Sequence, residues 1–255
     1  MSLNFNVSKK HFVELINNYS GKIVLINLID RKKEGTDQKI IGELYHKCLK
    51  ESNIPRIDFT WFDFHEECKK MKYENISKML KTSSVSGGLS NFGYTHIIAK
   101  SGFSFDKLER TPSEVSGLFT ILSKQEGVFR TNCIDCLDRT NVIQSVLARQ
   151  VLHKVLNKLG FEDVPSGEVF EVFLHEFESK YKEVWADNGD HLSIAYTGTN
   201  AMKGDFTRIG KKTKKGSLID GKLACQRYYL NGFVDGYHQD CHDLFLGNFI
   251  YYKTY

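Results

Sequence analysis

The sequence has no uninterrupted apolar run of about 18 residues, the length from which a membrane-spanning helix is predicted. Six cysteines are present, but their spacing does not suggest a disulfide framework, which favours reduced thiols in the cytosol. Only one pair of cysteines is close in sequence, and a zinc site would need further ligands at suitable spacing. We find no internal repeat and expect no metal or cofactor.

The 255 residues can bury a good core, and the chain is predicted to alternate strands and helices. Strands are predicted at residues 23–29, 57–64 and 92–98, helices at 34–50, 66–80 and 168–185, a flexible Ser/Gly loop at 83–90, and one or two helices at 218–246. An aromatic stripe in residues 168–185 is assigned to the core. The predicted fold class is therefore α/β, with a central, largely parallel or mixed sheet flanked by helices.

Residues 130–141, Arg-Thr-Asn-Cys-Ile-Asp-Cys-Leu-Asp-Arg-Thr-Asn, are the most informative segment of the chain. The short apolar stretch 127–129 before them indicates the end of a buried strand. Apolar residues at spacings of three and four after them, from 142 to 159, indicate a helix that ends at Gly160. The loop from Cys133 to Arg139 thus joins a strand to a helix N-terminus.

Such a loop can bind a phosphate group, because a helix N-terminus offers free N–H groups and partial positive charge. Cys133 is the predicted nucleophile, and Arg139 is predicted to grip two phosphate oxygens. Asp135 and Asp138 are both candidates for the general acid, and Thr140 is predicted to assist the sulfur. The remaining loop residues are assigned to phosphate binding: Asn132, Ile134, Cys136, Leu137 and Asn141.

Other interpretations of Cys133 and Cys136 stay open at this point. The pair can be a redox motif of the thioredoxin kind, two ligands of a metal, or a structural cysteine beside an unrelated one. Cys136 can also act as a resolving thiol under oxidation. None of these explains Arg139 or the two aspartates.

Residues 130–141 resemble the signature of the Sac-domain (suppressor-of-actin) phosphoinositide phosphatases, R-x-N-C-x-D-C-L-D-R-T-N, at every fixed position. The resemblance extends over roughly residues 20–250. Further segments that carry it are 24–30, 62–68, 196–199, 205–208, 228–240 and 243–248.

The resemblance implies hydrolysis of phosphate from inositol lipids on the cytosolic face of organelle membranes. Residues 62–68, Phe-Asp-Phe-His-Glu-Glu-Cys, are closest to the branch that acts on phosphatidylinositol 4-phosphate. Residues 1–255 are expected to be the catalytic part of the domain, without the N-terminal subdomain of the family. Asp63 and His65 are expected on one strand face, more as a structural pair than as part of the site. A protein phosphatase and a non-catalytic lipid-binding fragment are the alternatives.

The net charge of +4 comes from one short stretch, since residues 203–222 hold seven basic side chains against two aspartates. Residues 207–216 of this stretch are predicted to be an exposed loop that attracts anionic membrane lipids. No nucleic-acid-binding module accompanies it, so nucleic acid is not an expected partner. The residues assigned to membrane or headgroup contact are Lys203, Arg208, Lys211, Lys212, Lys214 and Lys215.

Overall fold

The computed structural model describes residues 2–31, 36–69, 72–99, 119–160, 168–202, 204, 208 and 213–248, and their side chains except at 2–7 and 168–174. The chain divides into two compact units, Met1–Asp163 and Val164–Tyr255. The elements of the first unit are α1 (Ser2–Asn18), β1 (Ile23–Asn27), α2 (Asp37–Ser52), β2 (Ile57–Trp61), α3 (Phe64–Glu67), a 3-10 turn (Tyr73–Asn75), α4 (Ile76–Leu80), α5 (Ser83–Asn91), β3 (His96–Ala99), β4 (Phe119–Ser123), β5 (Val128–Asn132) and α6 (Asp138–Lys158).

A three-stranded parallel sheet in the order β2-β1-β5 forms the centre of the first unit. Ile23 at the start of β1 is in register with Ile57 and Val128, and Asn27 at its end is in register with Trp61 and Asn132. All three strands therefore end at one edge of the sheet. Because the chain leaves β1 toward β2 on one side and returns as β5 on the other, β1 and β5 flank a topological switch point, where ligands bind in open α/β sheets.

The central strand is buried on both faces, and residues 23–29 are at most 2% exposed. This explains their continuous apolar run, which is typical of a strand between two layers of helices. Phe12 of α1 packs with Ile23 and Leu25 on one side. Two further helices pack on the sheet: α5 contacts β1 and β2, and α6 contacts β5. The predicted α/β class is confirmed.

The predicted flexible loop at residues 83–90 is wrong, because these residues form helix α5. Serine and glycine are poor helix formers on their own, but here their small size allows close packing. A Cβ built on Gly88 would lie 2.8 Å from ring atoms of Phe129 and Phe92. Packing against aromatic rings thus decides the conformation of this segment.

Three other predicted boundaries differ from the structure. The strand predicted at 57–64 ends at Trp61, and Asp63 caps α3 by accepting a hydrogen bond from Glu66 N at 3.0 Å. His65 is therefore an exposed residue of a short helix and does not share a strand face with Asp63. The helix predicted at 66–80 is divided into α3, the 3-10 turn and α4. In the segment 92–98 only the end is a strand, and it pairs antiparallel with β4 in a separate two-stranded sheet.

The second unit is helical in its described part and comprises α7 (Glu168–Thr197), α8 (Lys214–Phe233) and α9 (Asp235–Leu246). The helix predicted at 168–185 is longer in the structure, since α7 continues through residues 186–190. Asp190, which would otherwise favour a turn, accepts a hydrogen bond from Ala201 N at 2.8 Å. Of the aromatic stripe, Tyr181 and Trp185 are half-buried. None of the helices in the described ranges is long and apolar enough to cross a bilayer.

Candidate active site

The site begins where β1 and β5 end side by side. Asn27 is fully buried, and its Oδ1 accepts a hydrogen bond from Asn132 Nδ2 at 2.8 Å. Leu28 N donates to the Asn132 carbonyl, also at 2.8 Å. These two bonds join the ends of the strands, so that the loops that follow them start from a rigid base.

The loop from Cys133 to Leu137 wraps around the Cys133 sulfur, which belongs to a residue only 5% exposed. The sulfur accepts hydrogen bonds from Cys136 N at 3.1 Å and from the Thr140 hydroxyl at 3.3 Å. The Cys133 thiol donates to Asp135 Oδ1 at 3.1 Å, and this oxygen also accepts from Leu137 N at 3.3 Å. Cys136 has a left-handed backbone with φ of 55°, which turns its N–H inward. The loop amides thus already hold a carboxylate and a sulfur.

The two cysteines of the loop differ in protonation. Hydrogen bonding to the Cys136 sulfur, burial and the Asp135 carboxylate raise the pKa of Cys133, and the Thr140 hydroxyl acts in the opposite direction. The pKa of Cys136 is lowered to about 6, chiefly because Cys133 hydrogen-bonds to its sulfur, with Arg130 also favouring the thiolate. A helix N-terminus by itself would stabilise a thiolate at Cys133. These shifts favour the proton on the buried Cys133 sulfur and ionisation at the exposed Cys136 sulfur.

Arg139, the second residue of α6, contacts the loop that follows β1. Its Nη1 lies 3.5 Å from Asp30 Oδ1 and donates to Gln38 Oε1 at 3.3 Å. The side chains of Arg139 and Asp30 are only 15% and 17% exposed. Among the described residues, the guanidinium has no other hydrogen bond or ion pair.

The remaining loop residues fall into two groups. Asp138 and Asn141 are buried in the first turn of α6. Ile134 and Asp135 are exposed. Of the two candidate acids, Asp135 is therefore the one that contacts the sulfur and is open to solvent.

Comparison with known proteins identifies relatives of the whole chain. A family model described as SacI homology domain matches residues 1–69. The phosphatidylinositol-3-phosphatase SAC1 of Drosophila melanogaster is 44% identical over 94% of this chain and 36% of its own length, and that of Saccharomyces cerevisiae is 39% identical over 96% and 36%. The human phosphatidylinositide phosphatase SAC2 is 38% identical over 93% of this chain and 18% of its own.

The resemblance to the Sac-domain family is confirmed. The chain spans about a third of the length of the SAC1 relatives.

Several residues around the loop were given no role from the sequence. Arg130 Nη1 donates to Asn132 Oδ1 at 2.9 Å and to the Tyr45 hydroxyl at 3.2 Å. Burial raises the pKa of Tyr45, and the neighbouring Arg130 acts against this rise. Arg130 belongs to the family signature, whereas Gln38 carries no recognisable sequence signal, because its contact spans 101 positions.

The basic stretch lies in the second unit and is only partly described. Lys203, Lys211 and Lys212 are outside the described residues. Lys214 and Lys215 are exposed in the first turn of α8, whose N-cap Thr213 accepts a hydrogen bond from Gly216 N at 2.8 Å. Arg208 is paired with Asp190 at 2.9 Å and Asp187 at 3.3 Å, which raises its pKa. Its charge is therefore balanced within the unit.

Proposed function

We propose that this chain is the catalytic part of a Sac-type phosphoinositide phosphatase that hydrolyses phosphate monoesters of the inositol ring through a phosphocysteine. The observation that carries the proposal is the arrangement at Cys133. Its sulfur lies between a strand end and a helix N-terminus, with a backbone N–H, a hydroxyl and a carboxylate within 3.3 Å. The names of the SAC1 and SAC2 relatives support the same substrate class.

In the first step, the Cys133 proton passes to Asp135 along their hydrogen bond of 3.1 Å. The thiolate attacks the phosphorus, the bond from phosphorus to the inositol oxygen breaks, and Asp135 gives the proton to the leaving alkoxide. The amides of Cys136 and Leu137 turn from sulfur and carboxylate to the phosphoryl oxygens. Asp138 remains the alternative acid, but its buried position in α6 favours Asp135.

In the second step, water attacks the phosphocysteine and Asp135 takes a proton from it. Inorganic phosphate leaves, and Thr140, 3.3 Å from the sulfur, stabilises the released thiolate by its hydrogen bond. The proton on Asp135 then returns to Cys133 and restores the starting state. Neither step needs a metal.

Phosphate release from vesicles tests the proposal directly. Vesicles that each contain one phosphoinositide are compared for the parent chain, Cys133→Ser and the control Cys225→Ser, whose cysteine is exposed in the second unit. We expect release by the parent and the control and none by Cys133→Ser, with a phosphate adduct on Cys133 in quenched samples. Equal release by Cys133→Ser would refute the nucleophile, and binding without release would indicate a lipid-binding fragment.

We further propose phosphatidylinositol 4-phosphate as the preferred substrate, because residues 62–68 resemble the branch that acts on it. The names of the fly and yeast relatives specify 3-phosphatase activity. The vesicle panel therefore decides between the 4-phosphate and the 3-phosphate, and phosphotyrosine peptides in the same assay test the protein-phosphatase alternative.

The basic stretch is proposed to attract the chain to anionic membranes on their cytosolic face. Each lysine near such a surface contributes about 1 kcal/mol. Flotation with anionic vesicles should weaken when Lys211, Lys212, Lys214 and Lys215 are changed to Gln. The control changes four lysines of the first unit to Gln, and these are Lys9, Lys10, Lys47 and Lys50. Equal loss in both variants would show a general charge effect and would end the assignment of a specific surface.

A further inference from the structure

The contact of Arg139 with Asp30 is the part of the site that neither the sequence motif nor the proposed reaction explains. Asp30 lies in the loop after β1, three residues beyond Asn27, and Arg139 is the second residue of α6, so the pair joins the two loops at the topological switch point of the sheet. Both side chains are largely shielded from solvent. A partly buried ion pair of this kind holds its partners in place far better than an exposed one.

The backbone on either side of Asp30 is held by groups from the end of β2. The Ile29 carbonyl accepts a hydrogen bond from Trp61 Nε1 at 2.8 Å, and Arg31 N donates to Asp63 Oδ2 at 2.8 Å. The backbone that carries Asp30 is therefore fixed from both sides, as expected for a group that positions another residue.

Only one nitrogen of Arg139 is occupied by these contacts. Asp30 and Gln38 both engage Nη1, whereas Nε and Nη2 have no hydrogen bond or ion pair to any described residue. The Nε–Nη2 edge of a guanidinium is a planar fork that matches two oxygens of a phosphate. The side chain thus has one anchored nitrogen and one edge available for an anion.

We propose that Asp30, assisted by Gln38, is a positioning residue that anchors Nη1 of Arg139 so that its Nε–Nη2 edge is presented to a phosphate group. The inference rests on the proposed function for its substrate, but its central claim concerns oxyanion binding. Because the arginine is already ordered before the anion arrives, binding loses less side-chain entropy. The two alternatives are a purely structural ion pair and a carboxylate that keeps Arg139 away from the phosphate.

Affinity for inorganic phosphate separates these alternatives without requiring turnover. It is measured by calorimetry and by protection of Cys133 from alkylation, for the parent, Asp30→Asn and the control Asp58→Asn. Asp58 forms an ion pair with Lys22 at 3.0 Å at the opposite edge of the sheet. We expect Asp30→Asn to weaken phosphate binding by about tenfold to a hundredfold, and Asp58→Asn to leave it unchanged. Unchanged or tighter binding by Asp30→Asn would overturn the proposal.

A double-mutant cycle distinguishes positioning from general damage. Lysine at position 139 has no planar fork, so in Arg139→Lys the further change Asp30→Asn should have little effect on phosphate affinity. An equal loss in both backgrounds would show that Asp30 is structural only. Should Asp30→Asn fail to fold, Gln38→Ala carries the same cycle, with a smaller expected loss because no charge is removed.

The role of Asp30 and the proposed phosphatase activity can be refuted independently of each other. A parent chain that binds phosphate but releases none from any phosphoinositide would refute the activity and leave the role of Asp30 intact. A parent chain that binds no oxyanion would overturn the role of Asp30.

Discussion

The opposite pKa shifts of Cys133 and Cys136 predict different rates of reaction with an alkylating reagent. At pH 7 a thiol with a pKa of about 6 is roughly 90% ionised. An ordinary cysteine with a pKa of about 8.5 is only about 3% ionised at that pH, a difference of about thirtyfold. A thiolate of lower pKa is also a weaker nucleophile, and a Brønsted slope of about 0.45 over this pKa difference removes roughly 13-fold of this advantage. Cys136 should therefore react about twofold faster than an ordinary exposed cysteine.

The assay is alkylation by iodoacetamide between pH 4.5 and 9, with each cysteine-containing peptide quantified by mass spectrometry. Cys225 is the internal reference for an exposed thiol. We expect the Cys136 rate to rise through pH 6 and then level off, and buried Cys133 to react last at pH 7.

The variant Cys133→Ala tests the cause of the effect. The main stabilisation of the Cys136 thiolate is its hydrogen bond with Cys133. Without that donor, the rise in the alkylation rate of Cys136 should occur at higher pH. The reasoning is refuted if Cys133 is alkylated ahead of Cys136 at pH 7, or if the Cys136 profile is the same with and without the Cys133 sulfur.

Two further substitutions test the packing and the sulfur environment. Gly88→Ala places a methyl group against the ring of Phe129 and should lower the free energy of unfolding by about 1–3 kcal/mol in urea. Gly87→Ala points into open space and should leave stability equal or raise it by about 0.4–1 kcal/mol, so similar losses in both would contradict the packing argument. Thr140→Val removes the hydroxyl that lies 3.3 Å from the Cys133 sulfur while keeping the side-chain shape. It should slow phosphate release about tenfold through loss of one hydrogen bond to a charged group, and an unchanged rate would exclude that role.

The strands and helices that were predicted well are those whose pattern follows from local chemistry. The continuous apolar run at 23–29 had to be a strand covered on both faces, and the spacing after residue 141 had to be a helix. The position of the cysteine loop between β5 and α6 followed from these two patterns.

Elements whose conformation depends on distant partners were predicted poorly. Helix α5 contains several weak helix formers, and it is stabilised because its small residues allow the rings of Phe129 and Phe92 to pack closely against it. The continuation of α7 beyond Trp185 likewise depends on a partner for Asp190 outside the helix. The helix propensity of a residue contains no information about the distant side chains that pack against it.

The sequence by itself determined the α/β class, the loop from Cys133 to Arg139 and the resemblance to Sac-domain proteins, because each rests on residues close together along the chain. Only the tertiary structure decided which groups surround the reacting atoms. It brought Asp135 to the sulfur, raised the pKa of Cys133, and joined Arg139 to Asp30 and Gln38. These contacts join residues as many as 109 positions apart, and the burial that strengthens them arises only when the strands of the sheet come together.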